Sequence, residues 1–443
     1  MLCRICSWNT LDELILSLNC QKNNPFRKKF LAEGQRKQIR READSQCNEL
    51  LQRAKETQAE LVENRRWLHC HAEVGFELRQ TCAFVEEKLK EMGYEPRRMS
   101  GAGIVATVGK QGGKTVLLRA DMDALPMKEE SGLEFAATGD AAHTCGHDVH
   151  TAMLLGAARL LKEHEAELNG CVKLMFQPDE EGTNPLGFSG SQAMLKDGVL
   201  EDPHVDAAFS MHIWSNTPYP AGTFFSRQEA LMSSCDTVTV TVTGKGTHGS
   251  MPQDGVDPIN AGVHVYQAFE NLIAREVPPY EQCSLTFGQF QSGSAANVLP
   301  ETALLVGTLR TVSEDTRTRM KKRIEAICAG MGQAFGAQIG VTFTQGIPCV
   351  YNAPALTESV LRYTRELTGE PVVTLKVPLS SSDDWSEISQ KVDSCYLLLS
   401  SGTAEEGYPY SQHNPKIRFN EDVMYRGAAA YCSVALNWLR ENG

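Results

Sequence analysis

Thr237-Val-Thr-Val-Thr-Val-Thr243 alternates a polar and an apolar β-branched residue without a break. A strand has a period of two, so every valine would fall on one face and every threonine on the other. Downstream, Ile259 to Ile273 has helical spacing and Ser284 to Gln291 and Ala303 to Leu309 read as strands. Arg317 to Phe335 is helical again, and Gln338 to Thr344 closes the run. The order β-α-β-β-α-β is that of a split βαβ unit, a small ferredoxin-like antiparallel sheet covered by two helices on one face. Residues 234–345 are enough for a separate domain, being about 110 in number. On either side the texture differs. Thr115 to Leu118, Cys171 to Phe176 and Val205 to Met211 are apolar runs suited to buried strands, separated by helical spacing over Thr151 to Glu163 and Ser191 to Lys196. The alternation resumes with Leu361 to Leu367, Ser394 to Leu399 and Met424 to Leu439. The α+β unit therefore reads as inserted into an α/β domain made of residues 49–233 and 346–443, built on a mixed, mostly parallel sheet.

The 443 residues carry a net charge of −12, which repels phosphate backbones and anionic lipid and argues against nucleic acid or a membrane as partner. No stretch approaches the roughly 20 apolar residues of a membrane span, and Leu14 to Leu18 is too short a run for a secretory signal. The 14 cysteines lack framework spacing, so we expect them reduced, in a cytoplasmic protein. Charge is uneven: residues 1–48 hold nine Lys or Arg against five Asp or Glu. We read them as a basic N-terminal extension, either a partner-binding arm or, more plainly, a dispensable one, with the folded body starting near residue 48.

The chemistry gathers in the larger domain. His143-Thr-Cys145-Gly-His147-Asp148-Val-His150 puts a thiol and an imidazole two residues apart. In an extended segment both would point the same way and could share a metal, with the glycine allowing close approach and Asp148 orienting a ligand imidazole. Buried polar structure is the alternative. Phe176-Gln-Pro-Asp179-Glu180-Glu181-Gly182 ends a strand where open α/β sheets place their ligand crevices, although an acidic turn would look the same. His212 ends a further strand and His413 lies in a Pro/Tyr-rich loop. Each histidine alone is an ordinary polar residue. Their joint occurrence points to metal chemistry.

These residues stand within a longer series: Arg65-Arg-Trp-Leu-His69, Arg119-Ala-Asp-Met-Asp-Ala-Leu-Pro126, Cys145-Gly-His-Asp148, Phe176-Gln-Pro with Glu180-Glu181-Gly182, Gly246-Thr-His248 with Pro252, Asn297-Val-Leu-Pro300 and Gly307-Thr-Leu-Arg310. In this the sequence, from about Leu50 to Leu439, resembles the metal-dependent amidohydrolases of the auxin-conjugate hydrolase, hippurate hydrolase and N-acyl-amino-acid aminoacylase type, within the zinc-peptidase-like clan. The resemblance implies a zinc-peptidase-like catalytic domain with an inserted lid and dimerisation domain. It implies two divalent metals, zinc or manganese, with cobalt or nickel as alternatives, on Cys145, His147, Glu181, His212 and His413. Glu180 matches the general base. His248, Asn297 and Arg310 match lid residues that stabilise the oxyanion and hold the substrate's carboxylate. Asp121 and Asp123 could be ligands or supports; support fits better, since five ligands already serve two metals. His150 would pack or cap the following helix. The implied reaction is hydrolysis of the amide of an N-acyl or N-aroyl amino acid by a homodimer or larger even assembly. A dipeptidase or aminobenzoyl-glutamate-type hydrolase is the alternative enzyme, and an inactive binding subunit the alternative outside catalysis. The sequence departs from the pattern at His69-Cys-His-Ala72-Glu73, at Asp179 in place of a small residue, at an apparent insertion over Thr183 to Ser189, and at Ser382-Asp-Asp-Trp385. The last two could reshape the acyl pocket.

Overall fold

A computed structural model describes residues 49–443; the basic extension lies outside the described residues. After a helix over 49–56, the chain forms α1 (Gln58–Cys70), α2 (Arg79–Glu91), β1 (Arg97–Met99), β2 (Gly103–Gly109) and β3 (Thr115–Asp121). Then come α3 (His147–Glu163), β4 (Cys171–Gln177), α4 (Gly190–Lys196), β5 (Ala207–Ser215), β6 (Phe224–Ser226) and β7 (Glu229–Met232). The middle of the chain supplies β8 (Cys235–Thr243), β9 (Thr247–His248), α5 (Pro258–Glu276), β10 (Cys283–Ser292), β11 (Val298–Leu299), β12 (Thr302–Thr311), α6 (Glu314–Phe335) and β13 (Gln338–Ile347). The chain closes with β14 (Val350–Asn352), α7 (Pro354–Thr368), β15 (Val373–Thr374), α8 (Ser386–Ser389), β16 (Ser394–Gly402) and α9 (Met424–Asn442).

The larger sheet has eight strands in the order β1-β2-β4-β3-β5-β16-β6-β15. Its centre is parallel, with β4 on β3, β3 on β5 and β5 on β16. Those four strands are buried along nearly their whole length because both faces of the sheet are covered, which is why they read as continuous apolar runs. Period two distributes the side chains. Val116, Leu118, Val172, Leu174, Leu397 and Leu399 join the core under α3 and α9, while Leu117, Met175 and Leu398 join the core on the opposite face.

The second sheet is four-stranded and antiparallel, in the order β10-β12-β8-β13. Val238, Val240 and Val242 are buried with Ala261, Val265 and Phe269 of α5 and Met320 and Ile324 of α6, whereas Thr241 and Thr243 face solvent. The valine face thus builds a core of its own.

Candidate metal centre

Asp121 closes β3, Gln177 closes β4 and leads into Pro178 to Glu181, His212 lies near the end of β5, and the loop after β16 brings His413. Parallel strands deliver these residues to one edge of the sheet, where carboxyl ends leave a crevice. The crevice is a cleft of about 530 Å³, lined by Cys145, Glu180, Glu181, His212 and His413 together with Arg310 from β12.

Cys145 and His147 meet here by a different route from the extended segment read in the sequence. Helix α3 starts at His147, four residues before its apolar periodicity becomes legible, and Gly146 caps it with φ of 98°. A Cβ at Gly146 would stand 2.7 Å from Ile213 Cγ2, so this left-handed turn needs glycine on both steric counts. The turn leaves Cys145 Sγ 3.4 Å from His212 Nε2. His147 Nδ1 donates to the Asp123 carbonyl at 2.8 Å, which leaves Nε2 facing inward, buried and without a hydrogen-bond partner. His413 Nε2 lies 3.0 Å from Glu181 Oε1, and the His413 amide donates to the Thr144 carbonyl at 2.9 Å.

Two donor groups, Cys145–His147–His212 and Cys145–Glu181–His413, each bring their ligand atoms within 4.8 Å of one another and share the thiol. A third, His147–Glu180–Glu181, overlaps both. The orphaned imidazole nitrogen, the thiol and the carboxylates are a donor set that fits divalent cations. The charges point the same way. Burial, then Glu181 and Glu180, push the Cys145 thiol well above its ordinary value; burial, then Asp383 and Glu181, do the same to Glu180. Burial opposes a charge on His147, yet Asp121, Asp123 and Glu181 prevail and hold it up to about 10. The pocket is short of positive charge.

Asp121 and Asp123 are both buried, and their oxygens are engaged. Asp121 Oδ1 lies 2.6 Å from His150 Nδ1 and Oδ2 pairs with Arg119 at 2.7 Å. His150 Nε2 accepts from the Ile213 amide at 2.8 Å, so neither ring nitrogen of His150 is left for a ligand. Asp123 accepts from the amides of Glu180 and Glu181 at 3.0 and 3.2 Å. Asp148 does not take up the orienting position read from the sequence. Its Oδ2 accepts from Arg65 Nε at 2.9 Å and faces His69 Nδ1 at 2.8 Å, because one helical step turns it away from His147 and toward α1.

The three residues expected from the inserted unit part company. Arg310 reaches the cleft, where it donates to Ser382 Oγ at 3.2 Å. His248 and Asn297 stand at the other end, flanking the β9–β11 pairing in which Val298 opposes His248. Since β12 has ten residues, at about 3.3 Å each its two ends are roughly 30 Å apart. His248 Nδ1 accepts from the Ser250 amide at 3.1 Å, so a neutral ring carries its proton on Nε2, available for donation.

A network behind the cleft was not anticipated. Arg119, fully buried, pairs with Asp121, Asp383 and Asp384, and its Nε donates to Gln177 Oε1 at 2.9 Å. The Tyr396 hydroxyl donates to Asp383 at 2.6 Å, and Gln177 Nε2 to Asp384 at 2.7 Å. Burial pushes Asp384 up to about 7 against the pull of Arg119. A charged residue inside the apolar run of β3 was the available signal. Ser380 to Asp383 do line the cleft, but Leu186 and Phe188 of the 183–189 segment line a separate one with Phe76.

The model of peptidase family M20/M25/M40 matches residues 117–437. Thermostable carboxypeptidase 2 of Saccharolobus solfataricus is 33% identical over 391 residues, covering 87% of this chain and 96% of that protein. Hippurate hydrolase of Campylobacter jejuni is 32% identical over 388 residues, covering 86% and 97%. Among solved structures, the YXEP protein of Bacillus subtilis, described as a dinuclear metal binding peptidase from the M20 family, aligns with a TM-score of 0.74 at 26% identity over 87% of this chain and 99% of its own. With the match spanning both sides of the four-stranded sheet and the donor cleft, the chain belongs to peptidase family M20/M25/M40.

Proposed function

We propose that this protein is a metal-dependent amidohydrolase that cleaves N-acyl or N-aroyl amino acids to a carboxylic acid and a free amino acid. The observation that carries the proposal is the convergence of Cys145, Glu180, Glu181, His212, His413 and Arg310 on one cleft. Cys145, His147, Glu181, His212 and His413 would hold two divalent cations, zinc or manganese, the thiolate favouring the softer end. Bound there, such ions polarise the scissile carbonyl and acidify an attacking water. Glu180, at the cleft wall and outside the helix, takes the water's proton and returns it to the leaving amine. Arg310 offers a planar fork to the free carboxylate of the amino acid. Asp123 keeps both glutamates in place through their amides, and Arg119 keeps Asp121 charged. We read residues 234–345 as a lid and dimerisation domain, whose His248 Nε2–H and Asn297 complete a site by stabilising the oxyanion.

A peptide substrate is the second reading, favoured by the carboxypeptidase name of one relative. The substrates differ in what lies on the acyl side of the amide, and a free α-ammonium there separates them. The metal-loaded enzyme should be assayed on N-acetyl, benzoyl, indoleacetyl and long-chain acyl amino acids beside the matching dipeptides. Hydrolysis of the acyl series with Glu180→Gln inactive supports the proposal. Turnover of dipeptides alone favours the second reading, and parental turnover by Glu180→Gln removes the base from its role.

A further inference from the structure

Asp179, which precedes the two glutamates, has a left-handed backbone with φ of 46°. That conformation is uncommon for a residue bearing a Cβ, although Asp tolerates it better than most. The segment 183–189 is what surrounds it. The buried Asp179 carboxylate accepts from the Thr183 amide at 3.0 Å and the Thr183 hydroxyl at 3.2 Å, both on Oδ1, and from the Asn184 amide group on Oδ2. Asn184 in turn accepts from the Leu186 amide at 2.7 Å and donates to the Phe188 carbonyl at 2.8 Å. The loop closes where the Gly190 amide donates to the Asp179 carbonyl at 3.0 Å; a Cβ at Gly190 would stand 1.6 Å from the Pro178 oxygen.

At the far end of the segment Ser189 is buried and caps α4, its hydroxyl accepting from the Gln192 amide at 3.4 Å; the middle of the segment is open. Leu186 is 64% exposed and Phe188 is 41% exposed, and the edge contact of Phe188 with Phe76 has ring centroids 5.8 Å apart. Apolar burial therefore does not order it; its polar bonds to Asp179 at one end and the Ser189 cap at the other do. Upstream of these bonds, Asp123 holds the amides of Glu180 and Glu181. The glutamate pair thus lies between Asp123, which holds its amides, and the Asp179 carboxylate, which holds the residues just after Gly182.

We propose that Asp179 is a positioning residue for Glu180 and Glu181, and that it acts through the 183–189 segment. The proposal rests on the reading of those glutamates as base and ligand given above. It predicts that Asp179 matters because the loop is present.

A double-mutant cycle tests it, with the loop arm made by replacing residues 183–189 with a short Gly-Ser link, or by Thr183→Val with Asn184→Ala should that link fail to fold. In the parent background Asp179→Ala should lower kcat about 10- to 100-fold with KM nearly unchanged, and weaken Co²⁺ binding to a similar degree with an altered visible spectrum of the Co²⁺-loaded protein. Asp179→Asn keeps the Oδ1 acceptor for Thr183 but sets an amide donor against that of Asn184, so it should restore the spectrum and the rate only in part. In the altered-loop background Asp179→Ala should add less than about twofold. Equal effects in the two backgrounds, or a parental Co²⁺ spectrum in Asp179→Ala, would overturn the proposal. Should Glu180→Gln turn over at the parental rate, the reading of Glu180 fails, while the Co²⁺ titration still decides whether Asp179 positions Glu181.

Discussion

Cys145 is common to two of the donor groups, and its loss leaves neither with three ligands. Cys235 also lines the cleft, but its Sγ donates to Gln345 Oε1 at 3.3 Å, and it belongs to no donor group among the described residues. Cys145→Ala should therefore lower the metal bound per subunit, as read by elemental analysis after gel filtration, while Cys235→Ala should leave it at the parental value. Equal metal in Cys145→Ala would exclude that thiol from the centre. At this scale much was legible, because donor residue types at strand ends carry their chemistry with them. Cys145, Glu180, Glu181, His212 and His413 stand along one cleft wall. What composition and spacing could not convey was pairing. The carboxylate of Asp148 was assigned by proximity in sequence, whereas helix geometry hands it to Arg65 and His69. Arg119 was visible only as part of a motif, since its partners Asp383 and Asp384 lie more than 260 positions away.

Helix α3 shows what a periodic pattern can and cannot give. It is buried from His147 to Leu161 on nearly every side, packed against α1, α9 and the sheet. A helix buried all round has no polar stripe to mark its start. Its first turn is fastened instead by charge: Asp148 meets Arg65 and His69, which stand one turn apart on α1, and His69 Nε2 faces Glu129 at 3.0 Å. Burial disfavours the imidazolium of His69, but Asp148 and Glu129 outweigh it and raise its pKa to about 9. A folded-state pKa above the unfolded value of about 6.5 gives stability that is complete below pH 6.5 and is lost as pH rises through 9. The urea midpoint should accordingly fall between about pH 7 and 10, and His69→Gln should flatten that fall while lowering the midpoint at pH 7. A histidine resonance titrating near 9, absent in His69→Gln, would identify the group directly. An imidazole that titrates below 7 at this position would refute the clamp. Strand β8 keeps the alternation legible in its sequence, with valines buried and Thr241 and Thr243 open, and it lies inside its sheet, paired with β12 and β13, so the open edges belong to β10 and β13.

The molecule as a whole leaves an apolar surface beside the four-stranded sheet. Ile259, Val263 and Tyr266 follow helical spacing along α5 at 39%, 39% and 38% exposure, beside Phe290 on the edge strand β10. An edge strand flanked by exposed apolar side chains is ordinarily covered, and pairing with a second copy through a two-fold axis covers both at once. The same arrangement would give His248 a cleft to serve. His248 lies at the far end of β12 from Arg310, and ten strand residues at about 3.3 Å each set those ends roughly 30 Å apart. A two-fold partner can offer its His248 to that cleft while receiving the same service in return. The protein should behave as a homodimer or larger even assembly by light scattering, and Val263→Glu should shift it toward monomer with loss of turnover but not of metal. Glu180→Gln and His248→Ala, each inactive alone, should regenerate activity when mixed under verified subunit exchange. In random pairing, half of the dimers are mixed and one of their two sites holds both intact residues, so recovery should approach about a quarter of the parental sites. If exchange is complete and no activity returns, His248 serves its own chain or takes no part in the reaction; a monomer at working concentration would remove the partner altogether.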